Sequence, residues 1–267
     1  IPDSVTNIER LAFLDCTSLT SVVIGDSVTS IGDNAFYGCS RLSHIDMSYC
    51  TYIGRAAFSK AGLTTIETKV SMIEDYTFCN CSSLSYADMS YCTNIGKYAF
   101  YGTSLTSVDI TGVKYIGSYA FGNCSGLIVD ELSSPVVKYI GDSAFDSTMK
   151  STLQRIDLPL CSYLGSSSYS GYSLLSYLNI PSLKRIDNWM FSGCSSLSTV
   201  ILRDVSYIGN YAFSGCPLTF SGLDLPMCEY IGPMGCSIEG IVSLPSVKTI
   251  GSYVFGSCSS ITYVDIQ

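Results

Sequence analysis

The 267-residue chain is expected to fold as a β-dominated solenoid. Three observations carry that expectation: a repeat of about 22 residues, one phenylalanine slot per repeat, and too little charge for a disordered chain. Aliphatic anchors stand at Ile8, Ile31, Ile53, Ile73, Ile95, Ile116, Ile140, Leu164, Ile186, Ile208, Ile231 and Ile250, spaced 19 to 24 residues apart with a mean of 22. Ten of the eleven Phe fall five residues after an anchor, from Phe13 to Phe255, and Tyr169 and Cys236 fill the two remaining slots. A period of roughly 20 to 29 residues is the signature of a leucine-rich-repeat solenoid. At 47% hydrophobic and 13% charged, the composition opposes disorder, which needs the reverse balance. The chain therefore reads as a single leucine-rich-repeat solenoid domain over residues 1–267: about twelve coils in an α/β-type superhelix dominated by strand.

Each element of a coil follows from the stretch between Ile31 and Met47. Leu42, Ile45 and Met47 have the spacing of an inward leucine followed by strand alternation, so Ile45 and Met47 face the core while His44 and Asp46 face outward. The inward set recurs as Leu84, Ala87 and Met89, and again as Leu197, Val200 and Leu202. Stacked about 4.8 Å apart, such strands make one parallel sheet face. The segment from anchor to Phe slot is too short for a full helix, which predicts one helical or 3₁₀ turn opposite the sheet. Glycine follows the anchor in nine of the twelve repeats, and Glu9, Glu74 and Asp187 take its place in the others. Close approach of neighbouring coils explains that tolerance better than an obligatory positive φ does. Register is expected to be least regular around Leu127-Ile128-Val129-Asp130-Glu131-Leu132, where an acidic residue falls near an inward position.

Thirteen cysteines are an odd number, which excludes a complete intramolecular disulfide framework. Seven lie eight residues after an anchor (Cys16, Cys39, Cys81, Cys124, Cys194, Cys216 and Cys258) and four lie three before one (Cys50, Cys92, Cys161 and Cys228). A free Cys behaves as a small buried hydrophobe, so a recurring inward slot predicts a ladder of thiols. Disulfides between adjacent coils, Cys16–Cys39 and Cys194–Cys216, remain the alternative. Cys79-Asn80-Cys81 lacks the spacing of a zinc site, and neither a metal nor a cofactor is expected.

The run Ile24-Gly25-Asp26-Ser27-Val28-Thr29-Ser30-Ile31-Gly32, followed by Ala35-Phe36, Gly38-Cys39 and Leu42, resembles the BspA-like leucine-rich-repeat family, and the likeness covers essentially the whole chain. The resemblance implies a cell-surface or extracellular location and a role in adhesion or ligand capture. Ile1-Pro2-Asp3-Ser4-Val5 aligns with Ile24-Gly25-Asp26-Ser27-Val28, so the chain reads as a segment of a longer protein that starts partway through a coil.

One pattern exceeds what the repeat requires. The outward strand position reads Asp46, Glu67, Asp88, Asp109, Glu131 and Asp157 in consecutive repeats, and later Asn179, Ile201, Asp224, Ser243 and Asp265. Unit charges about 5 Å apart repel by roughly 1 kcal/mol even in water, so a stripe of carboxylates needs an offset. Charges on a flat exposed sheet also oppose unwanted association. The sharper reading is a binding stripe for a host or cell-surface protein or glycan, basic in character. Calcium is a weaker candidate, because one carboxylate per coil leaves most ligand positions to water. His44 and Tyr86, with Tyr177 and Tyr263, flank the stripe two residues earlier, and Tyr suits recognition by its apolar body and polar tip.

Other classes fare worse. His44 is the sole histidine and sits on an ordinary repeat strand, which leaves a hydrolytic triad without a distinctive base. No phosphate-cradling glycine loop or dinucleotide fingerprint is present. Fourteen basic against twenty-two acidic residues, a net charge of -8, oppose nucleic-acid binding, and no apolar run is long enough to insert in a membrane. The expected function is a non-catalytic extracellular recognition or adhesion domain that binds through its sheet face. The alternative is a structural spacer that presents other domains.

Overall fold

The computed structural model describes residues 1–145, 149–166, 169–218, 220–233, 238–256 and 258–266. It divides into two compact units, Ile1–Ile128 with Ser143–Thr148, and Val129–Asp142 with Met149–Gln267. Both are built as parallel β-solenoid of the leucine-rich-repeat kind.

The coils carry strand at two places rather than one, which corrects the single expected sheet face. In the first unit the anchors themselves end two-residue strands. Asn7–Ile8, Ser30–Ile31 and Tyr52–Ile53 pair in parallel with Ile8, Ile31 and Ile53 in register. Met72–Ile73, Asn94–Ile95 and Tyr115–Ile116 repeat the arrangement. The strand read from sequence is the second site: Thr65–Glu67 pairs with Tyr86–Asp88, which sets Glu67 beside Asp88. In the second unit Glu131–Ser133, Arg155–Asp157, Tyr177–Asn179 and Thr199–Ile201 form one parallel sheet, and Arg185–Ile186, Tyr207–Ile208, Tyr230–Ile231 and Thr249–Ile250 another. The longer strands Phe220–Asp224, Ile238–Ser243 and Ser260–Asp265 pair in a third.

The Phe slot forms the spine of the core. From Phe13 through Phe36, Phe58, Phe78, Phe100 and Phe121 to Phe145 the rings stack with centroids 4.9 to 5.7 Å apart. Tyr169, Phe191 and Phe213 continue the same slot in the second unit, at 5.7 and 5.6 Å. Each such pair adds roughly 0.5–1.5 kcal/mol beyond the area it buries. Cys236, the other replacement in the slot, lies outside the described residues.

No helical turn occurs among the described residues, which overturns that expectation. Between anchor and Cys slot the chain instead makes three successive β-turns. In the second coil Ala35 donates to the Gly32 carbonyl, Tyr37 to Asn34 and Cys39 to Phe36. The N–H groups between them point out of the coil: Asn34 donates to Arg55 at 3.0 Å, Phe36 to Ala57 at 2.7 Å and Gly38 to Ser59 at 2.9 Å. A helix would keep all these donors within one coil, whereas this segment gives half of them to its neighbour. The geometry requires positive φ twice. Three residues after the anchor stand Leu11, Asn34, Ala56, Tyr76, Tyr98 and Tyr119, and seven after it Asp15, Gly38, Lys60, Asn80, Gly102 and Asn123, all left-handed. These are the third positions of type II turns.

Glycine directly after the anchor has the other cause expected of it, close packing. A Cβ on Gly32 would stand 2.6 Å from the Arg10 nitrogen and 2.9 Å from the Glu9 carbonyl carbon, backbone atoms that cannot yield.

Candidate functional site

The sheet face of the first unit gathers most of the residues singled out by sequence. Asp46 and Glu67 are exposed outward neighbours, since Met47 bridges to Thr68 one position on. Glu67 is in register with Asp88, and Thr65 with the half-exposed Tyr86. His44, Asp46 and Glu67 line one shallow hollow of about 190 Å³, together with Ser48 and Thr65. Asp109 lies on the next coil, outside the regular strands, and is exposed as well.

Three of these carboxylates also hold the backbone. Asp46 Oδ1 accepts the Ser48 N–H at 2.9 Å and the Ser48 hydroxyl at 2.5 Å. Asp88 Oδ1 accepts the Ser90 N–H at 2.9 Å. Asp109 Oδ1 accepts the Thr111 N–H at 2.9 Å and its hydroxyl at 2.8 Å. The recurring Asp-x-Ser/Thr is thus an Asx turn that closes the strand, a structural reason for part of the acidic column. The Ser48 hydroxyl and N–H hold the Asp46 carboxyl below the usual carboxylate range, helped by the nearby charges of His44 and Lys69. None of Asp46, Glu67, Asp88 or Asp109 enters an ion pair among the described residues. The three aspartates thus hold a carboxylate on the sheet face with its orientation fixed, at no cost in an existing salt bridge.

The second unit differs, and there the expected stripe needs correction. Glu131 pairs with Arg155, and Ser133 pairs with Asp157, so Glu131 belongs to the flanking column and not to the acidic one. The cause is two extra residues between the inward Leu127 and the strand centre at Leu132. An even insertion preserves which side faces in but moves each outward residue by one pleat. Asp157 keeps its expected place, in register with Asn179.

The charges here are offset by a residue that the sequence reading passed over. Arg155 Nε lies 3.3 Å from Glu131 Oε1, and its Nη2 lies 2.8 Å from Asp157 Oδ2. Its guanidinium covers the Tyr177 ring at 3.6 Å, and Asn179 Nδ2 donates to Asp157 Oδ1 at 2.8 Å. The signal was present: Arg155 stands two residues before Asp157, on the same outward face.

None of the described cysteines forms a disulfide, and most of them are buried. In the slot after Phe the thiol donates to the Phe carbonyl of the preceding coil. Cys39 reaches Phe13 O at 3.1 Å, Cys81 reaches Phe58 O at 2.9 Å and Cys216 reaches Phe191 O at 3.2 Å. Among the described residues no group of three or more His, Cys, Asp or Glu is arranged to hold a metal ion. No helix among them is long and apolar enough to cross a membrane.

Comparison with known proteins agrees with this architecture. The profile of the BspA type leucine rich repeat region, in six copies, matches residues 1–91, 93–219 and 234–267. Among solved structures, a leucine-rich repeat protein from Bacteroides ovatus is similar at 24% identity and a TM-score of 0.66, with 98% of this chain and 82% of that one covered. A leucine rich cell surface protein from Faecalibacterium prausnitzii gives 24% identity and a TM-score of 0.49, over 100% of this chain and 78% of that one. A leucine-rich repeat protein from Eubacterium ventriosum gives 18% identity and 0.47, over 94% and 74%. No curated protein matches the sequence.

Proposed function

Because the chain belongs to the BspA-type leucine-rich-repeat family, we propose that it is a non-catalytic recognition domain displayed outside the cell, which captures a basic segment of a host or cell-surface protein on the sheet face of its first unit. The observation that carries this reading is the row of carboxyl groups of Asp46, Glu67, Asp88 and Asp109, on an exposed face and outside every ion pair among the described residues. Such a row attracts a cationic segment from a distance and fixes its register on contact. Tyr86, half exposed beside the row, supplies apolar contact area. The extracellular setting is what membership of this family implies.

The test uses substitutions that remove charge without removing the turn. Asn in place of Asp88 and Asp109 keeps an Oδ1 that accepts the Ser90 and Thr111 N–H groups. Combined with Tyr86→Ala, these changes should weaken binding to an immobilised Lys/Arg-rich peptide by at least about tenfold, with thermal stability nearly unchanged. Binding by the parent chain should fade as salt shortens the screening length from about 10 Å at 0.1 M to about 3 Å at 1 M. Full binding by the triple variant, or binding indifferent to salt, overturns the proposal.

A further inference from the structure

The turn side of the first unit carries a larger hollow, of about 580 Å³, in which Arg10, Arg55 and Lys60 converge with Tyr37 and Tyr76. It arises where an aromatic column is interrupted. Three residues after the anchor, Tyr76, Tyr98 and Tyr119 stack at 5.1 and 4.8 Å, but the two coils before them have Asn34 and Ala56 at that position. Ala56 offers Tyr76 no ring to stack on. The Arg55 guanidinium lies instead 5.3 Å from the Tyr76 centroid, and the Lys60 ammonium 5.0 Å from the Tyr37 centroid.

The chemistry of the hollow is opposite in sign to the chain as a whole, whose net charge is -8. Arg10, Arg55 and Lys60 are exposed, and none of them enters an ion pair among the described residues. Asp33 is the one carboxylate in the lining, and its Oδ1 already accepts the Arg55 backbone N–H at 2.9 Å. Asn34 and Asn80 add neutral amides at the border. The lining therefore combines cations, two of them seated over tyrosine rings, with neutral hydrogen-bonding groups. The volume falls within the roughly 300–1,000 Å³ of small-ligand sites.

We propose that this hollow binds an acidic saccharide, with the sugar carboxylate on Arg55 and Lys60, which the Tyr76 and Tyr37 rings hold in place, and the sugar hydroxyls on the Asn34 and Asn80 amides. A guanidinium fork matches a carboxylate bidentately, and an ammonium adds a point charge beside it. The sugar hydroxyls fit the neutral amides as donors and acceptors, and an acidic peptide is the competing occupant of the same cations. The site is separate from the acidic sheet face and does not rest on the proposal made for it.

Calorimetric titration of the whole chain with trigalacturonate tests the assignment, beside its methyl ester, inorganic phosphate and a Glu-rich peptide. Trigalacturonate should bind, and methyl esterification, which removes charge but keeps the ring, should weaken binding by at least about tenfold. Arg55→Gln combined with Lys60→Asn should do the same, and both positions are exposed, with Asn already at the equivalent position in Asn80. The Asp88, Asp109 and Tyr86 variants should bind as the parent does. Equal affinity for the ester, undiminished binding by the double variant, phosphate or peptide binding as tightly as the sugar, or no binding of trigalacturonate at millimolar concentration would each overturn it.

Discussion

Tyr169 stands in the buried aromatic column where most coils have Phe, and its hydroxyl is buried without a hydrogen-bond partner among the described residues. Burial pushes its pKa well above the ordinary tyrosine value. An unpaired buried hydroxyl costs roughly 1–3 kcal/mol, so Tyr169→Phe should raise stability by about 1 kcal/mol or more, read as a higher urea midpoint at unchanged slope. Thiols make a second prediction. Burial pushes Cys39, Cys50 and Cys228 up to about 11, and Cys81 and Cys161 up to about 12, from an ordinary value near 9. The unfolded chain loses these protons first, so the thiols leave stability unchanged below about pH 9 and lower it as pH rises toward 11–12. Urea midpoints measured from pH 8 to pH 10.5 should fall, and less steeply in a Cys81→Ala variant. Residues of this kind were legible in the sequence because burial repeats at one position per coil. Arg155 was legible only in part: its spacing to Asp157 on the same strand was in the sequence, but its pairing with Glu131 depends on the register of the neighbouring coil.

The turn segment shows that glycines in two columns serve different ends. Gly215 has φ +76, and a Cβ there would lie 3.6 Å from the nearest atom, in ordinary contact. Gly215→Ala should therefore cost only the left-handed backbone, about 1–2 kcal/mol. Gly32 has no such φ but meets backbone at 2.6 Å, so Gly32→Ala must push two coils apart and should destabilise more. Chemical denaturation of the two variants gives the order directly. The inward strand residues could be read from their period of two. The anchor strands could not, because two residues are too few to show alternation. Positive φ three residues after the anchor was hidden by Leu11, Ala56 and the tyrosines, which do not announce it. Seven residues after the anchor, the mixture of Gly and Asn was a signal for it.

For the whole chain, the repeat length was enough to foresee a parallel solenoid, since a period near 22 residues leaves few other ways to bury one hydrophobic stripe per repeat. Charge was harder to read as a whole. A net -8 suggested one continuous acidic stripe, but the two-residue insertion before Leu132 and the ion pairs of Arg155 give each unit its own electrostatic character. The cations of the turn side were invisible in that total. The outward-pointing amides have a further consequence, for how such a chain can change length. Ala56, Phe58 and Lys60 donate to the carbonyls of Asp75, Thr77 and Cys79, while Tyr76, Phe78 and Asn80 donate to those of Lys97, Ala99 and Tyr101. Excising residues 74–95 would bring the first three donors to the last three acceptors and rejoin Ile73 to Gly96, restoring the Ile-Gly junction. Such a shortened chain should still unfold cooperatively in circular dichroism, whereas removal of half that segment should not. The coil is thus an interchangeable part, and the lengths open to this chain are whole multiples of it.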